Sequence, residues 1–215
     1  HLCNLNSCMD FIALHFEWCK STKRADCLLS AMDGGLINAI LYLGAAAGAL
    51  LVGRPFMVNY GSRMQLVISD MFFILGGLFG AFAIGIKCLL LSRLCSGIGL
   101  GISAISAPVY IAEVSPPENR GYHSAKHGLY IAVGLLAAEL VGLPQDPPDQ
   151  GLTARNNWWW RAILGLPAFL AGVQFLIFKY DLPVDSVTFL VKQGRMDEAR
   201  TMLYRTYGLI PLDLS

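Results

Sequence analysis

Five long apolar stretches organise the chain: Ala31 to Gly53, Met64 to Ile86, Cys88 to Ile111, Ser124 to Leu143 and Trp158 to Phe178. Each reaches the roughly 20 residues that a helix needs to cross the hydrocarbon core of a bilayer. Inside lipid no water is available for loose backbone groups, so a spanning segment must satisfy its own N–H and C=O groups. The pattern therefore predicts an all-α membrane protein with five spans over residues 31–180. Residues 1–30 form a polar outer segment before them, and residues 181–215 a charged inner tail after them. Within that tail Met196, Ala199 and Leu203 fall on one side of a short charged helix, which is expected to dock under the bundle.

Composition agrees with the pattern. Of 215 residues, 55% are hydrophobic and only 14% charged, and the mean hydropathy is +0.53, far more apolar than an ordinary soluble domain. The formal net charge of +1 offers no basic field for nucleic acid. No Cys/His cluster has zinc-ligand spacing, so neither a metal nor a cofactor is expected. An intramembrane enzyme would need a paired base and nucleophile. Neither the run His15 to Trp18 nor His123 with His127 supplies one. The chain starts at His1 without a methionine or a signal-peptide pattern, which reads as a fragment lacking its true beginning.

Sidedness follows from the cysteines and the cations. Cys3, Cys8, Cys19 and Cys27 crowd the first 27 residues, as in an outer, oxidising loop carrying up to two disulfides in any of three pairings, or else four free thiols. Cys88 and Cys95 lie in or beside apolar runs and read as packing residues. With the cysteine loop outside, Arg54 and Arg63 fall in the first inner segment, and Lys179, Lys192, Arg195, Arg200 and Arg205 in the last, as the positive-inside tendency requires. Lys20, Lys23 and Arg24 run against it. The outer segment Pro144 to Asn157 contains three prolines and cannot continue a helix. Trp158, Trp159 and Trp160 then mark the next interface.

The stretch Ser92 to Ile102, SRLCSGIGLGI, has glycine at every second position. A dinucleotide fingerprint needs a third glycine where Ile102 stands, so phosphate binding is excluded. On a helix Gly97 and Gly101 share a face, the small-xxx-small spacing of close membrane-helix contacts. Gly99 points the other way, which predicts neighbours on two faces. Arg93 lies one turn earlier. A charge within a span marks an internal partner or a solute path, or it snorkels to headgroups. At similar outer depth its candidate carboxylates are Asp33 and Glu139, whereas Asp70 belongs to the inner half.

The run from Ser92 to Gly121, SRLCSGIGLGISAISAPVYIAEVSPPENRG, resembles the fourth span and following loop of the sugar porters of the major facilitator superfamily. Arg93, Gly97, Gly99, Gly101, Pro108, Tyr110, Glu113, Arg120 and Gly121 stand at the family's motif positions. Gly61 to Gly77 is similar to the second inner loop and third span. Trp158 to Phe175 is similar to the sixth span, and Phe189 to Leu203 to the inner segment beyond it. The outer cysteine loop is similar in layout to that of apicomplexan hexose transporters. The resemblance implies a partial N-terminal helical bundle, spans two to six, with a short cytoplasmic helical segment. It implies that the remainder of a transporter lies outside this chain.

What the resemblance implies for function is movement of a hexose-type sugar by alternating access, in a multi-pass protein of the plasma membrane. The expected partners are a small-molecule sugar, the lipid bilayer and the rest of the transporter, with no nucleic acid. Conformational ion pairs would involve Glu113, Arg120, Arg63 and Asp185. Solute contacts would come from the fifth span at Gly128, Ile131 and His127. Three positions depart from the family pattern. Residues 58–63 read VNYGSR where the family has Asp-Arg-x-Gly-Arg-Arg. Thr188 replaces an arginine in VDSVT. Gly128 stands where a glutamine offers its amide to the sugar. These departures keep an alternative open: a non-transporting sugar sensor, or a degenerate or truncated transporter copy.

Overall fold

The computed structural model of the protein describes residues 28–116, 118–142, 159–180 and 187–207. The four N-terminal cysteines, Trp158, Asp185 and the outer segment 144–157 lie outside the described residues. All described secondary structure is helical. Helix α1 (Leu28–Ala47) runs through a π-helical stretch, Gly48–Gly53, into α2 (Arg54–Ala81). Then come α3 (Ile86–Val114), α4 (Arg120–Gly142) and α5 (Trp159–Tyr180), followed by two short helices, α6 (Val187–Lys192) and α7 (Met196–Tyr207). Among the described residues four helices are long and apolar enough to cross a membrane: Asn59–Ala81, Ile86–Val114, Arg120–Val141 and Arg161–Tyr180. The described apolar part of α1, Gly35–Leu50, is shorter.

Local sequence explains where the helices start and stop. A proline in the first turn of α2 forfeits only an N–H that had no partner there. The chain turns between α2 and α3 at Phe82 to Gly85, where the Gly85 carbonyl accepts the N–H groups of Cys88 and Leu89. Lys87 therefore sits in the first turn of α3 rather than in the loop. α3 ends because Ser115 precedes Pro116 and is pushed into extended backbone, φ −80 and ψ 136. α6 ends in a left-handed Gly194 (φ 76). The Gly194 N–H bonds to the Val191 carbonyl and the Arg195 N–H to the Leu190 carbonyl, the double closure of a glycine-terminated helix. The segment expected as an inner loop, Arg54 to Arg63, is helical except at Gly61, which is extended with φ 79 and ψ 165.

The glycines of α3 set the packing. A side-chain carbon on Gly101 would stand 2.8 Å from the Ala45 carbonyl carbon of α1 and the Ala49 nitrogen of the π-helical stretch, and one on Gly97 3.1 Å from the Ala45 nitrogen. On the opposite face, a carbon on Gly99 would meet the Ser69 carbonyl oxygen of α2 at 3.1 Å. α3 is thus clasped between α1 and α2, on the two faces that the glycine spacing assigns. α5 packs on the far side of α2, with Gly77 against Ala168 and Gly80 against Leu164. Without a hydrophobic drive between helices in lipid, such backbone proximity supplies the dispersion contact that holds them. Ile37, Ala83, Leu89, Ile163 and Leu164 form an apolar cluster at the end of the bundle that bears the α2–α3 turn, here labelled the outer end, with the opposite end labelled inner. At the inner end Leu190 and Ala199 are fully buried. α4 stands apart, with Leu129, Tyr130, Ile131, Leu135, Leu136 and Leu140 all exposed.

Candidate functional site: a buried polar seam and the inner-face contacts

Two polar rows meet along the α2–α3 interface. Ser62, Gln65 and Ser69 rise on α2 at helical spacing, with Ser106 of α3 against Gln65, while Ser92 and Ser96 of α3 lie further out against Gly76 of α2, and every one of these serines and Gln65 is buried. Ser92 donates to the Gly76 carbonyl at 2.7 Å. The Ser106 hydroxyl lies 2.7 Å from both Gln65 Oε1 and the Ile102 carbonyl, which share its one proton. The Gln65 amide in turn donates to the Gly53 carbonyl, tying the end of the π-helical stretch to the seam. These bonds replace water that the bilayer interior does not contain. Sequence reasoning missed the rows, although Gln65 and Ser69, and Ser62 just before the apolar run, spaced by three and four, were the available signal.

At the inner end four helices are tied together. Ser62 donates to Glu113 Oε2 at 2.6 Å, joining the start of α2 to the end of α3. Arg63 Nη2 donates to the Phe178 carbonyl at 2.8 Å, joining α2 to the end of α5. The Phe178 ring meets Tyr110 of α3 edge-on at 5.8 Å. Beneath them the Phe189 ring of α6 covers Gly61, 3.0 Å from where a side-chain carbon would stand. Of the expected conformational ion pairs, the structure places Glu113 against the Ser62 hydroxyl and Arg63 against a backbone carbonyl. Arg120 opens α4 with its side chain exposed.

Arg93 is 1% exposed, so it is packed within the bundle and does not snorkel to the headgroups. A central charge costs about 2.5 to 3.5 kcal/mol on insertion scales unless it is compensated. α1 and α3 run in the same direction, with Leu41 against Gly97 and Ala45 against Gly101. One turn outward this register sets Arg93 level with Ile37 and Asn38, and residue 33 one turn further out. Glu139 of α4 is exposed. Asp70, in contrast, lies in the middle of α2 at 2% exposure, level with the Gly99 contact.

The expected solute contacts share one side of α4: Gly128 is exposed with open space around it, Ile131 is 53% exposed, and His127 is half-buried. No cluster of three or more His, Cys, Asp or Glu able to hold a metal ion occurs among the described residues.

With this arrangement in hand, comparison with known proteins is decisive. The profile described as "Sugar (and other) transporter" matches residues 4–213. The chain belongs to this sugar transporter family. Among curated relatives, Hexose transporter 1 of Toxoplasma gondii is 31% identical over 222 residues, covering 100% of this chain and 39% of its own length. Hexose transporter 1 of Plasmodium falciparum is 29% identical, covering 94% of this chain and 41% of its own length. The chain thus spans about two fifths of the length of the curated relatives it matches. A solved structure of the xylose transporter XylE from E. coli in a partially occluded inward-open conformation superposes with a TM-score of 0.78 at 19% identity, over 96% of this chain and 51% of that one. The fold is therefore part of a major facilitator helical bundle, and this sugar transporter family member is an integral, multi-pass membrane protein.

Proposed function

We propose that this chain forms the N-terminal helical domain of a hexose-class transporter of the plasma membrane that works by alternating access. The observation that carries the reading is the alignment of the whole chain with a hexose transporter at 31% identity. The packing suits it. Helices α1, α2, α3 and α5, joined by backbone contact and a buried polar seam, can move as one body, and rocking of such bodies exposes a central site to each side in turn. The inner contacts Ser62–Glu113 and Arg63–Phe178 are single hydrogen bonds at the inner edge of this body, weak enough to be exchanged for contacts with the rest of the transporter in each cycle without separating its helices. Glu113, Arg120, Arg63 and Asp185 serve as the inner-face charges that exchange partners as the body rocks. Arg93, with Asp33 or Glu139, supplies the intramembrane polar site, and His127, Gly128 and Ile131 present the solute-facing side of α4.

Uptake of labelled hexose in transporter-null cells tests the reading, with the full-length transporter containing this chain and its Gly128→Gln variant measured together. Saturable uptake, increased by the glutamine, supports it, because a side-chain amide restores a hydrogen bond worth about 0.5 to 1.5 kcal/mol. The open space beside Gly128, where the resemblance calls for a glutamine, favours one second reading, a sugar sensor. Surface-expressed protein with no uptake in either form would select that reading.

A further inference from the structure

Asp70 is a fully buried carboxyl in the middle of a span that the contacts above leave without a role. Its side chain is 2% exposed, and its Oδ2 has no hydrogen-bond partner among the described residues. The neighbouring Ser69 hydroxyl is turned to the Leu66 carbonyl. Asp70 lies two turns inward of Gly77 on the same side of α2. Because Gly77 abuts Ala168, Asp70 faces α5, next to the side on which Ser69, Phe72 and Phe73 meet Gly99 of α3.

The charged and titratable groups of the surrounding helices are all elsewhere. On α3, Lys87, Arg93 and Cys95 lie in the outer half, and Tyr110 and Glu113 at the inner end, engaged with Phe178 and Ser62. On α5, Arg161 and Lys179 sit at opposite ends, and the turns level with Asp70, residues 171–175, offer only Gln174, which is exposed. On α2 itself Arg63 is two turns inward and donates to the Phe178 carbonyl. A carboxylate in a membrane interior persists only with a cation or several donors beside it, and the described residues bring neither.

We propose that Asp70 is a proton-exchange site inside the bundle: its carboxyl holds a proton while α2, α3 and α5 are packed as here and releases it when local loosening between α2 and α5, without separation of the body, admits water. On release the carboxyl O–H bond breaks, its electron pair stays on the carboxylate, and the proton passes to a water molecule. Repacking reverses the step, and nothing is oxidised or reduced. Coupling of this exchange to solute movement rests on the transport reading above, whereas the site itself does not.

Infrared spectroscopy of the purified protein in phosphatidylcholine vesicles tests this directly. At neutral pH the native protein should show a protonated-carboxyl C=O band that Asp70→Asn removes, with the helical circular dichroism unchanged, because the amide has the shape of the protonated acid. An identical carboxyl region in the two proteins overturns the proposal. So does an Asp70→Asn protein that fails to fold while Asp70→Glu folds, since that result requires a native charge. A band lost in Asp70→Asn from a protein that takes up no sugar sustains the proton site and removes only the transport reading.

Discussion

The Ser62 hydroxyl donates a 2.6 Å hydrogen bond to the Glu113 carboxylate, joining the inner ends of α2 and α3 across 51 residues of sequence. Ser62 is 2% exposed, and it stands where the family pattern has an arginine. The tie is therefore a charge-assisted hydrogen bond made by a short, neutral side chain. It has direction and little reach, so it is lost with a small separation of the two helices.

Ser62→Ala should destabilise the bundle by about 1.5 to 3 kcal/mol, the range for hydrogen bonds to charged groups. Unfolding in mixed micelles measures it. A Glu113→Gln change made in the Ser62→Ala background should cost little more, because the two residues act as one unit.

The glycines of α3 and α4 should rank by what a methyl group would meet. Gly101→Ala drives a carbon into the backbone at Ala45 of α1 and Ala49 of the π-helical stretch and should cost about 1 to 3 kcal/mol from overpacking. Gly99→Ala meets the Ser69 carbonyl oxygen at 3.1 Å and Phe72 and Phe73 at 3.3 Å, a looser fit than at Gly101, so its cost should be smaller. Gly128→Ala meets nothing within 4 Å and should gain stability, since Ala is favoured over Gly in a helix by up to about 1 kcal/mol. Thermal unfolding in one detergent gives the order, and a destabilised Gly128→Ala would contradict it.

Gly61→Ala combines two penalties. Its backbone, φ 79 and ψ 165, belongs to a region nearly reserved for glycine, costing a side-chain residue about 1 to 3 kcal/mol. Its new carbon also displaces the Phe189 ring. Limited proteolysis after Lys192 and Arg195 should accelerate relative to the native protein, while cleavage at Arg120 should not change.

For Arg93, a double-mutant cycle discriminates between the candidate carboxylates. The parallel α1–α3 register brings residue 33 within one turn of the level of Arg93, whereas Glu139 lies exposed on α4. Arg93→Met and Asp33→Asn should couple by about 0.5 to 3 kcal/mol, while Arg93→Met and Glu139→Gln should add without interaction.

Much of this molecule is written in its linear pattern. Apolar runs long enough to span a bilayer commit the chain to helices, because a backbone in lipid must satisfy itself, and that requirement needs no knowledge of neighbours. The alternation of Gly97, Gly99 and Gly101 likewise assigns two faces of α3 to close contact, since facing is a property of a single helix. Only the tertiary structure decides which helix fills each face, that the α2–α3 turn falls at Phe82 to Gly85, that Glu113 meets a serine, and that Asp70 is sealed in while α4 stays open. Those outcomes depend on the rotation and register of one helix against another, which interhelical packing sets and spacing along one helix does not encode.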